Sequence, residues 1–139
     1  MLHRVHRDAD FHHGKWNGLG GKLLPGETPE EGVRREVLEE SGLTLENPRL
    51  RGLITFPLFD GVDDWYVFVF TSEFAGESLR ECPEGKLEWI ADEALGDLNL
   101  WPGDRVFLPW LEQPSFFSAK FFYQNREFAG HEVSFYPPC

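Results

Sequence analysis

Glu36, Glu39 and Glu40 stand at i, i+3 and i+4, inside a stretch from Glu27 to Glu40 that holds six glutamates and two arginines. On a helix those three acids share one face, where like charges destabilise by about 0.2–0.5 kcal/mol per pair. Such a face is either simply solvated or compensated by something it binds. The helix macrodipole accounts for Glu30 and Glu31 in a first turn, but it disfavours anions in the last turns, where the three acids fall. Immediately upstream lies "GLGGK", a turn whose backbone can approach where side chains would obstruct. Clustered carboxylates beside such a turn offer the all-oxygen surroundings that Mg²⁺ or Mn²⁺ prefer, and these cations usually keep positions for waters and phosphate oxygens. The formal net charge of −11 points the same way. An acidic surface repels nucleic-acid backbones and anionic membranes, so a polyanionic substrate would need cations to mediate the encounter.

The elements that must hold these groups follow from local signals. Thr28 reads as an N-cap, Pro29 as the first helical residue and Glu31 as the far half of a capping box, with Gly42 ending the helix after about Ser41. Val33 and Val37 give that helix an apolar stripe, and Gly32 inside it implies close backbone packing, because glycine costs about 1 kcal/mol relative to alanine there. "MLHRVH" reads as a short strand followed by a polar loop through Trp16. "LRGLITFPLF" and "DDWYVFVFTSEF" read as strands joined by the turn at Asp60-Gly61. The second is apolar on both faces, which implies a strand sandwiched between layers. "KLEWIA" predicts another strand, Asp92 to Leu98 a short helix, "GDRVFLPWLEQ" a last helix limited by Pro109, and "AKFFYQNREFAGHEVSFY" a hairpin. Mixed strands around one strong helix give an α/β or α+β sandwich, and 139 residues suit one domain spanning residues 1–139. No apolar run is long enough for a membrane span, and the opening residues lack the apolar core of a signal peptide. Cys82 and Cys139 alone make a disulfide framework improbable, so a reducing, cytoplasmic setting is expected.

The spacing Gly21, five residues, Glu27, seven residues, then Arg35-Glu36-Val37-Leu38-Glu39-Glu40-Ser41-Gly42-Leu43 resembles the complete Nudix box. The resemblance implies an α/β/α sandwich around a mixed sheet. It implies further that Glu36, Glu39 and Glu40 ligate a divalent metal, with the Gly20 carbonyl contributing, and that Glu27 pairs with Arg35 to hold loop against helix. Because the catalytic base varies within the family, Glu27 is also a candidate for that role. The reaction implied is attack of a metal-activated water on a nucleoside diphosphate linked to another group. Family members carry a strand and turn before the segment matching "MLHRVH". The first strand is therefore expected to be missing at this N-terminus, to be supplied by residues upstream, a partner chain or the C-terminal tail.

"GKWNGLGGKLLPGE" extends the similarity to the MutT-type oxidised purine nucleoside triphosphatases. By that resemblance Asn17 and Leu19 contact the base and Lys22 lies near the phosphates; the alternative for Asn17 is a turn residue bonding its own backbone. "ECPEGKLEWIADEALGDLNLWPGDRVFLPWL" resembles the later part of the same subfamily. A loop glutamate there, matched by Glu84 more closely than by Glu81, supplies a further metal ligand or base. At "WPGD", Trp101 would stack on a purine and Asp104 would hydrogen-bond its edge, unless Trp101 is core packing and Asp104 a helix cap. Phe56 and Trp65 either line the same pocket or belong to the core. Mammalian members carry two adjacent acids at this corner where the present chain has Gly103, so recognition of an oxidised purine through two carboxyl groups does not carry over.

The expected activity is a Mg²⁺-dependent (alternatively Mn²⁺-dependent) conversion of 8-oxo-dGTP-like triphosphates to monophosphate and pyrophosphate, by a monomer or homodimer. Alternatives are a dinucleotide polyphosphate or ADP-ribose as substrate, or a non-catalytic nucleotide-binding module. His3, His6, His12 and His13 suggest zinc only weakly and read as surface residues, while Phe11 lies where it would edge the base pocket. "FFSAKFFYQ" reads as core rather than as a platform for nucleic acid.

Overall fold

The computed structural model describes residues 1–3, 15–74, 79, 85–125 and 127–138. They fall into two units, one made of residues 1–48 and 72–101, the other of 49–71 and 102–139.

The first unit is organised by helix α1, Pro29–Ser41. Its start is the reciprocal cap written in the sequence: Glu31 N–H donates to Thr28 Oγ1 at 3.1 Å and Thr28 N–H to Glu31 Oε1 at 3.0 Å. Its end is set by Gly42, whose φ of 79° lies in the left-handed region that L side chains avoid. Val37 buries its side chain with Leu43 and Leu45, and Leu19, Val33, Phe74 and Leu79 pack around them. A Cβ on Gly32 would run into the Leu23 side chain, which is the close approach its position implies. Among the described residues this unit also has three two-residue strands: β1 (Leu2–His3) lies between β2 (Trp16–Asn17) and β5 (Lys86–Leu87), all antiparallel. The expected polar loop through Trp16 thus ends in a strand, because the backbone there pairs with β1. The strand expected over "KLEWIA" is confined to its first residues, and Asp92–Asp97 forms a 3-10 helix.

The second unit is a mixed four-stranded sheet in the order β4-β3-β6-β7. Strand β3 (Arg49–Phe56) runs antiparallel to β4 (Trp65–Thr71) and parallel to β6 (Phe116–Gln124), and β6 forms a hairpin with β7 (Glu127–Tyr136). Strand β6 alternates by the period of two that a half-buried strand requires, with Phe117, Ala119, Phe121 and Tyr123 buried on one face. Helix α2 (Pro102–Phe107) passes into a 3-10 helix at Leu108–Glu112, the irregularity that Pro109 announces. The strand expected from "DDWYVFVFTSEF" to lie sandwiched between layers is corrected: Tyr66 and Phe68 on one face of β4 are exposed. Two-sided hydrophobicity here goes with one open face, on a strand that is also at the edge of its sheet. No helix among the described residues is long and apolar enough to cross a membrane.

Candidate functional site

The glycine turn and helix α1 meet through carboxylates. Glu40 is buried, and its Oε1 accepts the Gly20 N–H at 2.9 Å. Glu36 lies against the next residue: a Cβ on Gly21 would fall 2.6 Å from Glu36 Oε1, so only glycine leaves room for that carboxylate. Both contacts follow from the i, i+4 spacing, which stacks the two side chains over one stretch of backbone.

Arg35 is the hub of the loop. Its Nε donates to Glu27 Oε2 at 2.8 Å and its Nη2 to Glu27 Oε1 at 3.0 Å, a bidentate pair. Nη2 also donates to the Lys22 carbonyl at 2.9 Å, while Nη1 reaches Glu36 Oε1 at 2.8 Å and Glu39 Oε2 at 3.3 Å. Glu27 Oε1 further accepts the Leu24 N–H at 2.7 Å, closing the turn. These bonds, the Arg35 ones first, hold the Glu27 carboxyl below its usual range, and Glu27 in turn raises the guanidinium above its own. The like-charge cost of the acidic face is therefore offset in part by Arg35, a group the sequence presents only as the partner of Glu27.

A hard divalent cation suits this donor set: every available ligand is an oxygen, and Glu36 and Glu40 already lie against Gly21 and Gly20. Among the described residues no three acidic or imidazole groups converge on one point, since Arg35 draws Glu36 and Glu39 while Glu40 turns to Gly20. Cation binding would thus require Arg35 to share those carboxylates. Lys22 is exposed on the same loop. Glu84, with Glu81, Phe11, His6, His12, His13, Cys82 and Cys139, lies outside the described residues.

Leu19 packs on the core of the first unit, and Asn17 is placed by its backbone pairing with Leu2. Trp101 is buried in the same unit, with Lys15 Nζ 5.1 Å from its ring centroid. In the second unit Phe56 and Trp65 are register partners at the end of the β3–β4 pair. Phe59 lies against both, its ring centroid 5.3 Å from Phe56 and 5.2 Å from Trp65, and it also contacts Tyr123 edge-on. Sequence reasoning passes over Phe59; its signal is the Pro57 bend, after which Leu58 takes φ 46° and folds the chain back. The indole N–H of Trp65 donates to Asp60 at 3.3 Å.

Gly103 has a physical reason that the sequence does not disclose. Its N–H donates to Tyr123 Oη at 2.7 Å, and a Cβ there would lie 2.7 Å from both that oxygen and Phe121 Cδ2. A second acid at this corner would have to displace Tyr123 and Phe121, and Asp104 is the carboxylate that remains. Burial, with the Asp104 charge adding to it, pushes the Tyr123 phenol up to about 12, so the hydroxyl stays neutral across physiological pH.

Residues 1–111 match the NUDIX domain. The chain is 33% identical over 117 residues to a mouse protein named oxidized purine nucleoside triphosphate hydrolase, covering 84% of this chain and 75% of that one. A Danio rerio protein of the same name is 35% identical over 123 residues, covering 88% and 76%. Among solved structures, a MutT protein from Bacillus halodurans superposes with a TM-score of 0.77 at 31% identity, covering 86% of this chain and 82% of that one. A glycine turn closed on helix-borne carboxylates, a mixed open sheet and these likenesses agree: the chain belongs to the NUDIX hydrolase family.

Proposed function

We propose that the chain, acting as one domain over residues 1–139, hydrolyses oxidised purine nucleoside triphosphates of the 8-oxo-dGTP type to monophosphate and pyrophosphate, with Mg²⁺ or Mn²⁺ as cofactor. The observation that carries this reading is the contact of the Glu36 and Glu40 carboxylates with the Gly20-Gly21 backbone. Glu36, Glu39, Glu40 and the Gly20 carbonyl would hold the cation, with Glu84 as a further ligand. A cation bound there supplies Lewis acidity, lowering the pKa of water and neutralising charge on phosphoryl oxygens. The names borne by the mouse and Danio rerio relatives support the substrate class. In a nucleotide-sanitising role the enzyme would work in the cytoplasm.

Among the candidate bases, Glu27 suits the work least. Both its oxygens are engaged by Arg35, and a depressed pKa makes a weak proton acceptor. It serves as a clamp, keeping the glycine turn on α1. Glu39, whose side chain is 60% exposed and meets Arg35 at 3.3 Å, would take a proton from the attacking water, and Glu84 is the other candidate. Lys22 would meet the phosphates. Asn17, Leu19, Trp101 and Asp104, with Phe56 and Trp65, would receive the base.

Gly103 favours a second reading, in which a base site with one carboxylate admits other nucleoside-diphosphate derivatives such as dinucleotide polyphosphates or ADP-ribose. A panel of oxidised and ordinary nucleotides, assayed with Mg²⁺ and with Mn²⁺ and read by product mass, separates the two. Monophosphate plus pyrophosphate from an oxidised purine triphosphate, preferred by at least about tenfold or 1.4 kcal/mol, is the expected result. Two monophosphate products, such as a nucleoside monophosphate and a sugar phosphate, in place of pyrophosphate would favour the second reading. No turnover of any nucleotide by folded protein would overturn both.

A further inference from the structure

Lys15 makes an unusual investment for a lysine in a chain of net charge −11. An ammonium on a flexible four-carbon stem ordinarily stays hydrated. Here Nζ donates to Asn99 Oδ1 at 3.1 Å and to the Leu100 carbonyl at 3.4 Å, and it sits 5.1 Å from the centroid of the Trp101 ring. One charged group thus engages three consecutive residues more than eighty positions away in the chain. Those residues form a bridge without regular structure between the 3-10 helix ending at Asp97 and helix α2 beginning at Pro102. Lys15 gives this segment an anchor from a distant part of the chain, beside its own burial and backbone bonds. Lys15 also immediately precedes β2, the strand that carries Asn17.

We infer that Lys15 is a positioning residue for the nucleotide base: it fixes the Trp101 indole plane relative to the strand bearing Asn17. The inference rests on the reading of Trp101 and Asn17 as base contacts. Its physical content is twofold. A cation over the indole face is held electrostatically by the ring quadrupole, and the two hydrogen bonds set the height and tilt of residues 99–101. Stacking depends on ring offset and plane, so a platform that tilts loses affinity for a flat bicyclic base before it affects phosphate chemistry.

The test compares Lys15→Met, Lys15→Arg and Trp101→Leu, with kcat and KM measured on a purine and a pyrimidine triphosphate and Tm recorded for each protein. Lys15→Met should raise KM for the purine by about five- to tenfold, within the range a cation–π contact covers. It should leave kcat nearly unchanged and pyrimidine KM unaltered. Lys15→Arg, which keeps a cation over the ring, should restore most of the purine affinity. Trp101→Leu should raise purine KM at least as much, and Lys15→Met should add nothing in that background. Equal KM increases for both nucleotides, or a fall in kcat that tracks Tm, would reduce Lys15 to a structural tether and overturn the inference. If Trp101→Leu raises purine KM while Lys15→Met does not, the inference fails and the base-platform reading stands. If Trp101→Leu is silent, the platform reading fails and takes the inference with it.

Discussion

The two units of this chain are held together by different physics. Among the described residues the strands of the first unit are two residues each, and its glycine turn is fastened to α1 by the Arg35 hydrogen bonds and the Glu40–Gly20 contact. The second has strands of seven to ten residues, with register shifts at Leu50/Gly52 and Phe122/Tyr123, over a core in which Phe117 and Phe121 are fully buried. Polar fastening is directional and depends on ionisation; apolar packing is neither. A site that must admit a cation and a polyphosphate has to be built from groups that can exchange partners. The apolar face of β6 in the second unit is packed for stability. The difference teaches where substitutions should be felt: as lost turnover at the acidic face of α1, as lost stability on the buried face of β6.

The strongest test crosses the two. Glu39→Gln keeps shape and hydrogen-bonding capacity at a largely exposed position. On the proposed function it lowers kcat by about two to four orders of magnitude, the usual contribution of a positioned proton acceptor, with Tm nearly unchanged. Phe121→Ala leaves a cavity in the sheet core and should cost about 3–5 kcal/mol of stability, seen as a lower denaturation midpoint, while surviving folded enzyme turns over normally. If Glu39→Gln retained full activity, or Phe121→Ala abolished turnover in folded protein, the division between the units would not hold.

A smaller effect sharpens the comparison at the corner where this chain departs from its mammalian likeness. Gly103→Asp would restore the second acid, but its Cβ would meet Tyr123 Oη and Phe121 at 2.7 Å. Overpacking of this kind costs about 1–3 kcal/mol. The variant should therefore lose stability without gaining preference for an oxidised purine; denaturant titration alongside kcat/KM for the nucleotide pair checks both. Stable Gly103→Asp protein with sharpened selectivity would mean that the corner relaxes easily and that packing does not dictate the glycine.

How much of this was legible beforehand depended on the range of the interaction. The α1 boundaries, its caps and the alternation of β6 are local, written within a few residues by Thr28, Pro29, Glu31, Gly42 and the aromatic periodicity of "FFSAKFFYQ". The glutamates and the glycine turn were legible for the same reason, as a spacing within one short segment. What could not be read was set by long-range contacts. Tyr123 reaching Gly103, Lys15 reaching Trp101, and β4 lying at a sheet edge each join residues that no local pattern links. The hydrophobicity of β4 misled because apolar residues on both faces do not require cover on both: Tyr66 and Phe68 stay exposed, and only long-range packing decides which face is covered.

The most delicate expected effect concerns the clamp itself. Glu27 is a site carboxylate whose pKa is lowered by named partners, chiefly Arg35 and then the Leu24 N–H. A carboxyl whose folded pKa lies below its ordinary 4.5 stabilises the fold fully above that value and loses its contribution as pH falls through the folded pKa. Arg35 stays charged throughout, so the change belongs to Glu27 alone. Wild type and Glu27→Gln should therefore differ most in Tm near neutrality and converge as the pH drops below 4.5. Phe121→Ala should show no such convergence, because its loss is apolar and indifferent to protonation. A gap between wild type and Glu27→Gln that stayed constant from pH 7 to pH 3 would mean that the turn is held by its backbone geometry, and that the Glu27–Arg35 pair rides on a loop already formed.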